Sequence, residues 1–210
     1  MQVLATVEDL RRATDQLLEA EPRFGEVVAV HGLPSLRRME GGLAGLLRIV
    51  VDQLISLKAG ESIWRRVEAE LHPFDAGVIS RQREASLRKL GLSGSKAQCF
   101  KAVAAAVAEG QLDFATLAAL SDAEVMAALT ALKGIGPWTA EIFLLSGMGR
   151  ADVLPAGDLA LQVAAQHLFG LAQRPDARSL TRLAEPWRPW RAVAARILWS
   201  HYRGLRGMTQ

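Results

Sequence analysis

The sequence predicts an all-α protein, and three observations carry that prediction. Alanine, leucine and arginine dominate, apolar residues recur every three or four positions from end to end, and β-branched runs are short. VVAV at 27–30 and RIVV at 48–51 are too brief to argue for strands.

The pattern places helices near 7–20, 24–31, 41–58, 60–71, 81–90, 95–109, 121–132, 137–147, 157–169 and 187–204, joined by short polar or glycine-containing connections. Ser121 with Glu124 forms a capping-box signature at one helix start. Gly91 and Gly110 read as helix stops, because glycine tolerates the left-handed conformation needed there. No long linker, low-complexity tract or repeat interrupts the series.

Composition narrows the class. The chain of 210 residues, half of them hydrophobic, can bury a core as one domain or as two small lobes sharing a cleft. Cys99 is the single cysteine, which excludes an intramolecular disulfide framework, a four-cysteine zinc site and an iron–sulfur cluster held by this chain's own thiols. The 25 basic and 22 acidic residues leave a formal charge of +3, only mildly favourable to a polyanion. MQVLATVEDLRRATDQLLEA has neither the apolar core of a signal peptide nor a membrane-spanning run. The expectation is a soluble monomer in the cytosol or nucleoid, with no membrane partner.

The most informative stretch is LKGIGPWTAEIF at 132–143, followed by PAGDL at 155–159. Gly134 and Gly136 supply a close turn, Pro137 suits a first helical position, Thr139 offers a hydroxyl, and Lys133 lies in the turn within reach of phosphate or solvent. Such a turn leaves the first amides of the second helix unpaired, which makes an anion site with a phosphate diester as its natural ligand. An ordinary tight helix–helix connection uses the same residues, and GIG alone does not separate the two. Asp158 opens the apolar pattern LALQVAAQHLF, near a helix end that favours negative charge. A plain N-cap acid has the same appearance.

Taken whole, LKGIGPWTAEIFLLSGMGRADVLPAGDLAL resembles the helix-hairpin-helix, Gly-Pro-Asp motif of DNA base-excision glycosylases, in particular their 3-methyladenine DNA glycosylase II branch. Trp138 and Asp158 stand at that branch's spacing, and the similarity extends from EPRF at 21–24 to RILWSHY at 196–202.

The resemblance implies roles for particular residues. Asp158 is the catalytic carboxylate, stabilising an oxocarbenium-like transition state and orienting or deprotonating a water. Trp138 stands where lyase-type members carry a lysine, so no Schiff base forms at that position. VVDQLISLKAG resembles the family's QLIS-type turn, making Leu54 the wedge that enters the base stack and Gln53 a contact to the orphaned partner base. From periodicity alone, Leu54 reads equally as a core leucine. Trp199 matches the branch's base-stacking tryptophan, with Trp138 on the hairpin side, and an electron-rich aromatic face suits a cationic N-alkylated purine. A core tryptophan is the competing reading for Trp199.

Ile142 occupies a position where some relatives have a pocket tyrosine, and Gly157 one where many have an acid. The family's hairpin also holds a monovalent cation, Na+ or K+, through backbone carbonyls, and the matching positions are Thr130, Leu132 and Ile135. No cofactor for catalysis is implied. Trp187, Trp190, His167 and His201 read as packing or surface residues.

The fold implied is two helical lobes around a DNA-binding cleft, with no N-terminal β domain. Residues 45–155 form a central lobe ending in the hairpin at 130–140, and 1–44 plus 156–210 form a second, discontinuous lobe. The function implied is a monofunctional glycosylase that flips and hydrolytically excises N-alkylated bases, of the 3-methyladenine and 7-methylguanine type, from damaged double-stranded DNA, so initiating base excision repair. A non-catalytic helix-hairpin-helix binder competes with this reading, although a carboxylate near phosphates would be a liability for it. A glycosylase for oxidised or mismatched bases also competes; the missing lysine and cysteine ligands count against it. A wholly structural helical protein leaves the hairpin-to-aspartate spacing unexplained.

Overall fold

The computed structural model describes residues 2–207. Among these the secondary structure is helical throughout, with one isolated antiparallel bridge between Val3 and Arg150 and no sheet. Among the described residues no helix is long and apolar enough to cross a membrane.

The chain begins with α1 (Val7–Ala20), opened by a capping box between Thr6 and Asp9, and α2 (Arg23–His31). From Met39 to Met148 it builds a separate compact unit. That unit holds α3 (Gly42–Asp52), α4 (Leu57–Leu71), α5 (Ala76–Arg81), α6 (Glu84–Lys89), α7 (Gly94–Ala108), α8 (Phe114–Ala119), α9 (Asp122–Thr130) and α10 (Pro137–Ile142), the last running into a π-helical turn at Phe143–Gly147. From Gly149 the chain returns to the first unit with α11 (Leu159–Leu168), α12 (Ala177–Leu183), a 3-10 turn (Glu185–Trp187) and α13 (Arg191–Leu205).

The unit boundaries lie earlier than the expected 44/45 and 155/156, and backbone hydrogen bonds give the reason. Met39 N–H donates to Ser146 O at 3.0 Å, inside the middle unit, while Leu4 N–H donates to Gly149 O at 2.8 Å and Ala151 N–H to Gln2 O at 3.1 Å, inside the other.

Each unit has its own core. In the unit built from both chain ends, Trp187 is fully buried against Phe24 and Phe169, with ring centroids at 5.1 and 5.5 Å. Edge-to-face and offset aromatic pairs of this kind add roughly 0.5–1.5 kcal/mol each beyond area burial. Helix α13 buries every residue from Ala192 to Leu198, and its alanines let α11 pack closely against it. In the middle unit, Leu46, Ile49 and Val50 of α3 are buried, as are Phe100 and Val103 of α7, and these two helices pack on one another.

Local signals act as expected at several points. Ser121 and Glu124 form the capping box at the start of α9, and Gly91 and Gly110 have φ of 103° and 72° at helix ends. Three short helices, α5, α8 and α12, go beyond the predicted set. Each begins at an aspartate, Asp75, Asp113 or Asp176, whose side chain accepts from backbone amides of the first turn. Those N-caps are the sequence signal that would have found them.

One boundary is corrected. The helix expected over 41–58 stops at Asp52, and Ser56 N-caps a new helix. Gly60, expected to open the following helix, lies inside α4, where a Cβ would fall 2.1 Å from Asp52 Oδ1. Glycine at 60 therefore permits close approach of the end of α3.

Candidate active site

Asp158 sits at the end of a tethered loop. Val153, Leu154, Pro155 and Ala156 are buried, and Asp158 N–H donates to Pro155 O at 2.9 Å, closing the turn. Asp152, upstream, receives both Arg188 (2.5 Å) and Arg191 Nε (2.7 Å), which fixes the loop to the start of α13. Gln162, one turn into α11 and only 9% exposed, donates Nε2–H to Ala156 O at 2.9 Å. The loop is thus held from both sides.

Asp158 is the N-cap of α11. Its Oδ1 accepts the amides of Ala160 at 2.9 Å and Leu161 at 3.2 Å, and the indole N–H of Trp199 at 3.3 Å. The sequence left two readings of Asp158, cap or catalytic acid, and the carboxylate does serve as a cap. Asp158 and Trp199 are both half-buried, so the fixed carboxylate and the indole that donates to it lie together at a partly open position. Trp199 is therefore not an enclosed core residue. Trp187 is buried, as read from sequence, and Trp190 donates to Gln16 Oε1 at 3.0 Å. His167 Nδ1 and His201 Nε2 lie 2.9 Å apart, and burial, first, with the neighbouring His167 and His31 charges pushes the His201 pKa down. Among the described residues no group of three or more His, Cys, Asp or Glu side chains is arranged to hold a metal ion.

The middle unit carries the hairpin. Helix α9 ends at Thr130, the turn runs through Gly134 at φ 90°, and Gly136 is the extended N-cap of α10 with Pro137 behind it. Gly134 is required twice over. Its φ disfavours any side chain, and a Cβ there would fall 2.7 Å from Cys99 Cβ and 2.8 Å from its Sγ. Burial pushes the Cys99 thiol up to about 11, so it acts as an inert packing residue. Gly136 differs: its φ of −94° suits any residue, and nothing lies within 4 Å of a Cβ placed there. Lys133 is exposed, beside this open face.

Two residues expected at the DNA, Thr139 and Gln53, hydrogen-bond to each other inside the fold. Thr139 is only 2% exposed, and its hydroxyl accepts Gln53 Nε2–H at 2.8 Å, so that side chain works inside the fold. The same Gln53 amide also donates to Gly134 O at 3.3 Å, so it ties the turn after α3 to the hairpin.

Leu54, next in sequence, has φ 57° and is 104% exposed, which removes the core reading. Ile142 is 8% exposed and offers little surface to a pocket, whereas Trp138 is half-exposed. The carbonyls proposed for a cation divide in their engagement. Leu132 O accepts Ile135 N–H at 3.1 Å, and among the described residues no backbone hydrogen bond reaches Thr130 O or Ile135 O. Uncharged oxygen donors of this kind suit a hard cation of low charge.

Residues that sequence reasoning passed over are Gln162, Asp152 with Arg191, and Lys96. Lys96 Nζ donates to Val51 O at 2.7 Å and Gln53 O at 2.8 Å. Each acts on backbone distant in sequence or hidden in a turn, so no local motif marks it.

A helix-hairpin-helix turn followed by an N-capping aspartate at the head of the next helix defines a class. The model of the HhH-GPD superfamily of base excision DNA repair proteins matches residues 47–189, and the chain belongs to that family. Among individual relatives, the chain is 27% identical over 199 residues to the alkylbase DNA glycosidase-like protein mag2 of Schizosaccharomyces pombe, covering 91% of this chain and 93% of that one. It is 30% identical over 158 residues to DNA-3-methyladenine glycosylase 1 of the same yeast, covering 73% of this chain and 69% of the relative. The solved structure of the S. pombe 3-methyladenine DNA glycosylase Mag1 in complex with abasic DNA superposes with a TM-score of 0.85 at 27% identity, over 95% of this chain and 100% of that one.

Proposed function

We propose that this protein is a monofunctional DNA glycosylase that removes N-alkylated bases from duplex DNA by hydrolysis. Family membership supports the class, and the names of the relatives supply the substrate class. The observation that carries the chemistry is Asp158: a half-buried residue whose Oδ1 is held by two helix amides and the Trp199 indole.

Breaking the N-glycosidic bond builds positive charge on the sugar. A fixed carboxylate stabilises that charge without reorganising, which is where electrostatic catalysis gains most. Asp158 does this and takes or orients the proton of the attacking water. Trp199 presents its ring beside the acid, and a cationic purine stacks favourably on it. Alkylated purines are already activated leaving groups, so few hydrogen bonds to the base are needed.

The hairpin grips the strand. Gly136 has no internal reason to be glycine, and a phosphate approaching the first amides of α10 supplies an external one. The carbonyls of Thr130, Leu132 and Ile135 would hold a Na+ or K+ ion, whose charge would offset phosphate repulsion there. Leu54 enters the stack vacated by the flipped nucleotide. Trp138 brings no amine, so the reaction ends at the abasic site.

Base release from duplex oligonucleotides carrying 3-methyladenine, 7-methylguanine, ethenoadenine or hypoxanthine tests the reading, with native protein and Asp158→Asn side by side. Release of at least one alkylated base by native protein, lost in the variant, is expected. Binding without release from any lesion would favour the non-catalytic binder, and full activity in Asp158→Asn would remove that residue from its role.

A further inference from the structure

Leu54 is an expensive residue to hold as it is held. A non-glycine side chain in the left-handed region is strained, and this one is exposed in full, with no packing of its own to offset the strain. The backbone on its N-terminal side must therefore be secured by something else. Gln53, the C-cap of α3, leaves the helix at ψ 126°, and the chain then reverses into α4 through Ser56, whose hydroxyl accepts Ala59 N–H at 3.3 Å.

The Gln53 side chain ties this turn to the hairpin, and Lys96 holds its backbone directly. Lys96 is the third residue of α7, fixed at its own amide by the Ser93 N-cap hydroxyl. Its Nζ reaches Val51 O at 2.7 Å and Gln53 O at 2.8 Å, bracketing Asp52 and ending directly before Leu54. A cation on the last carbonyls of a helix is favoured by the helix dipole and satisfies acceptors that have no intrahelical partner. Asp52, between those carbonyls, is engaged by Arg48 Nε at 3.0 Å. Burial lowers the Lys96 pKa, with the Asp52 charge opposing, as befits an ammonium drawn off the surface to reach these oxygens.

We propose that Lys96 is a positioning residue for the reaction: its ammonium, seated on the Val51 and Gln53 carbonyls, holds Leu54 outward in the conformation that enters a base stack. Lys96 itself touches no substrate. The inference rests on the reading of Leu54 as a wedge.

A wedge matters only where there is a stack and a partner strand to displace, so the readout is a ratio. A single 7-methylguanine is placed in one oligonucleotide, and its single-turnover release is measured from the duplex and from the single strand. For Lys96→Met the duplex-to-single-strand ratio is expected to fall about tenfold, as lost charge-assisted hydrogen bonds let the turn relax. Leu54→Ala should lower the ratio similarly, and the double variant should fall no further than Leu54→Ala alone. Lys96→Arg should restore part of the ratio, and Lys96→Gln, which keeps an amide donor, gives an intermediate value and serves if the methionine variant does not fold.

An unchanged ratio in Leu54→Ala would overturn the wedge reading itself. A lowered ratio in Leu54→Ala with an unchanged one in Lys96→Met, including the case where both rates drop together, would overturn the role of Lys96 alone.

Discussion

Trp199 donates its indole N–H to the same oxygen of Asp158 that accepts the Ala160 and Leu161 amides. One atom therefore starts helix α11 and meets the aromatic face, so structure and chemistry at Asp158 are coupled but separable by substitution.

Asp158→Asn is expected to separate them. Asparagine caps a helix as well as aspartate, so stability should change by less than about 1 kcal/mol, while Asp158→Ala should lose roughly that much more. Base release should fall about a hundredfold or more in both, because the negative charge is gone. Thermal melting beside single-turnover release checks this, and a large melting shift in Asp158→Asn would count against the separation.

The two hairpin glycines should fail in different ways. Gly134→Ala places a Cβ at positive φ against Cys99 and should destabilise the fold by roughly 2–3 kcal/mol. Gly136→Ala meets open space and a permissive backbone, so melting should hold while affinity for DNA drops across sequences. Denaturation and fluorescence anisotropy on the two variants make the comparison.

Gln162→Leu should leave the buried Ala156 carbonyl without its partner, costing about 1–3 kcal/mol. It should also lower kcat more than it raises KM, because the turn that aims Asp158 is loosened while the DNA grip is on other residues. Equal changes in both constants would argue that Gln162 serves binding.

Cys99 predicts a pH effect. Its folded pKa, about 11, lies above the ordinary 9.0, so the unfolded chain ionises first. Stability linked to this thiol is at full strength below about 9 and declines as pH rises through about 11, by roughly 2–3 kcal/mol in all. Denaturant titrations of native protein and Cys99→Ala from pH 8 to about 11 should converge by that amount.

Borohydride added during base release should trap no covalent protein–DNA adduct, since Trp138 cannot form a Schiff base. A trapped species on a denaturing gel would overturn the monofunctional assignment.

Much of the helical frame is legible in the sequence because its determinants are local. Ser121 with Glu124, Gly91, Gly110, Pro137 and the Gly134 turn each act on backbone within about four residues, where capping and φ preference decide the outcome. The break at 53–56 escaped the periodic reading because apolar spacing continues across it, and the short helices escaped because six or seven residues carry too little periodicity.

By itself, then, the sequence determined an all-helical chain, a glycine–proline hairpin and an acid at a helix start at the family's spacing. Only the tertiary structure decided what those parts touch. It turned Thr139 and Gln53 inward to each other across 86 positions, set Trp199 on Asp158 across 41, and seated Lys96 on carbonyls 43 and 45 positions away. The physical reason is that a side chain's donor finds its acceptor by packing, and packing between helices leaves no periodic mark on either one.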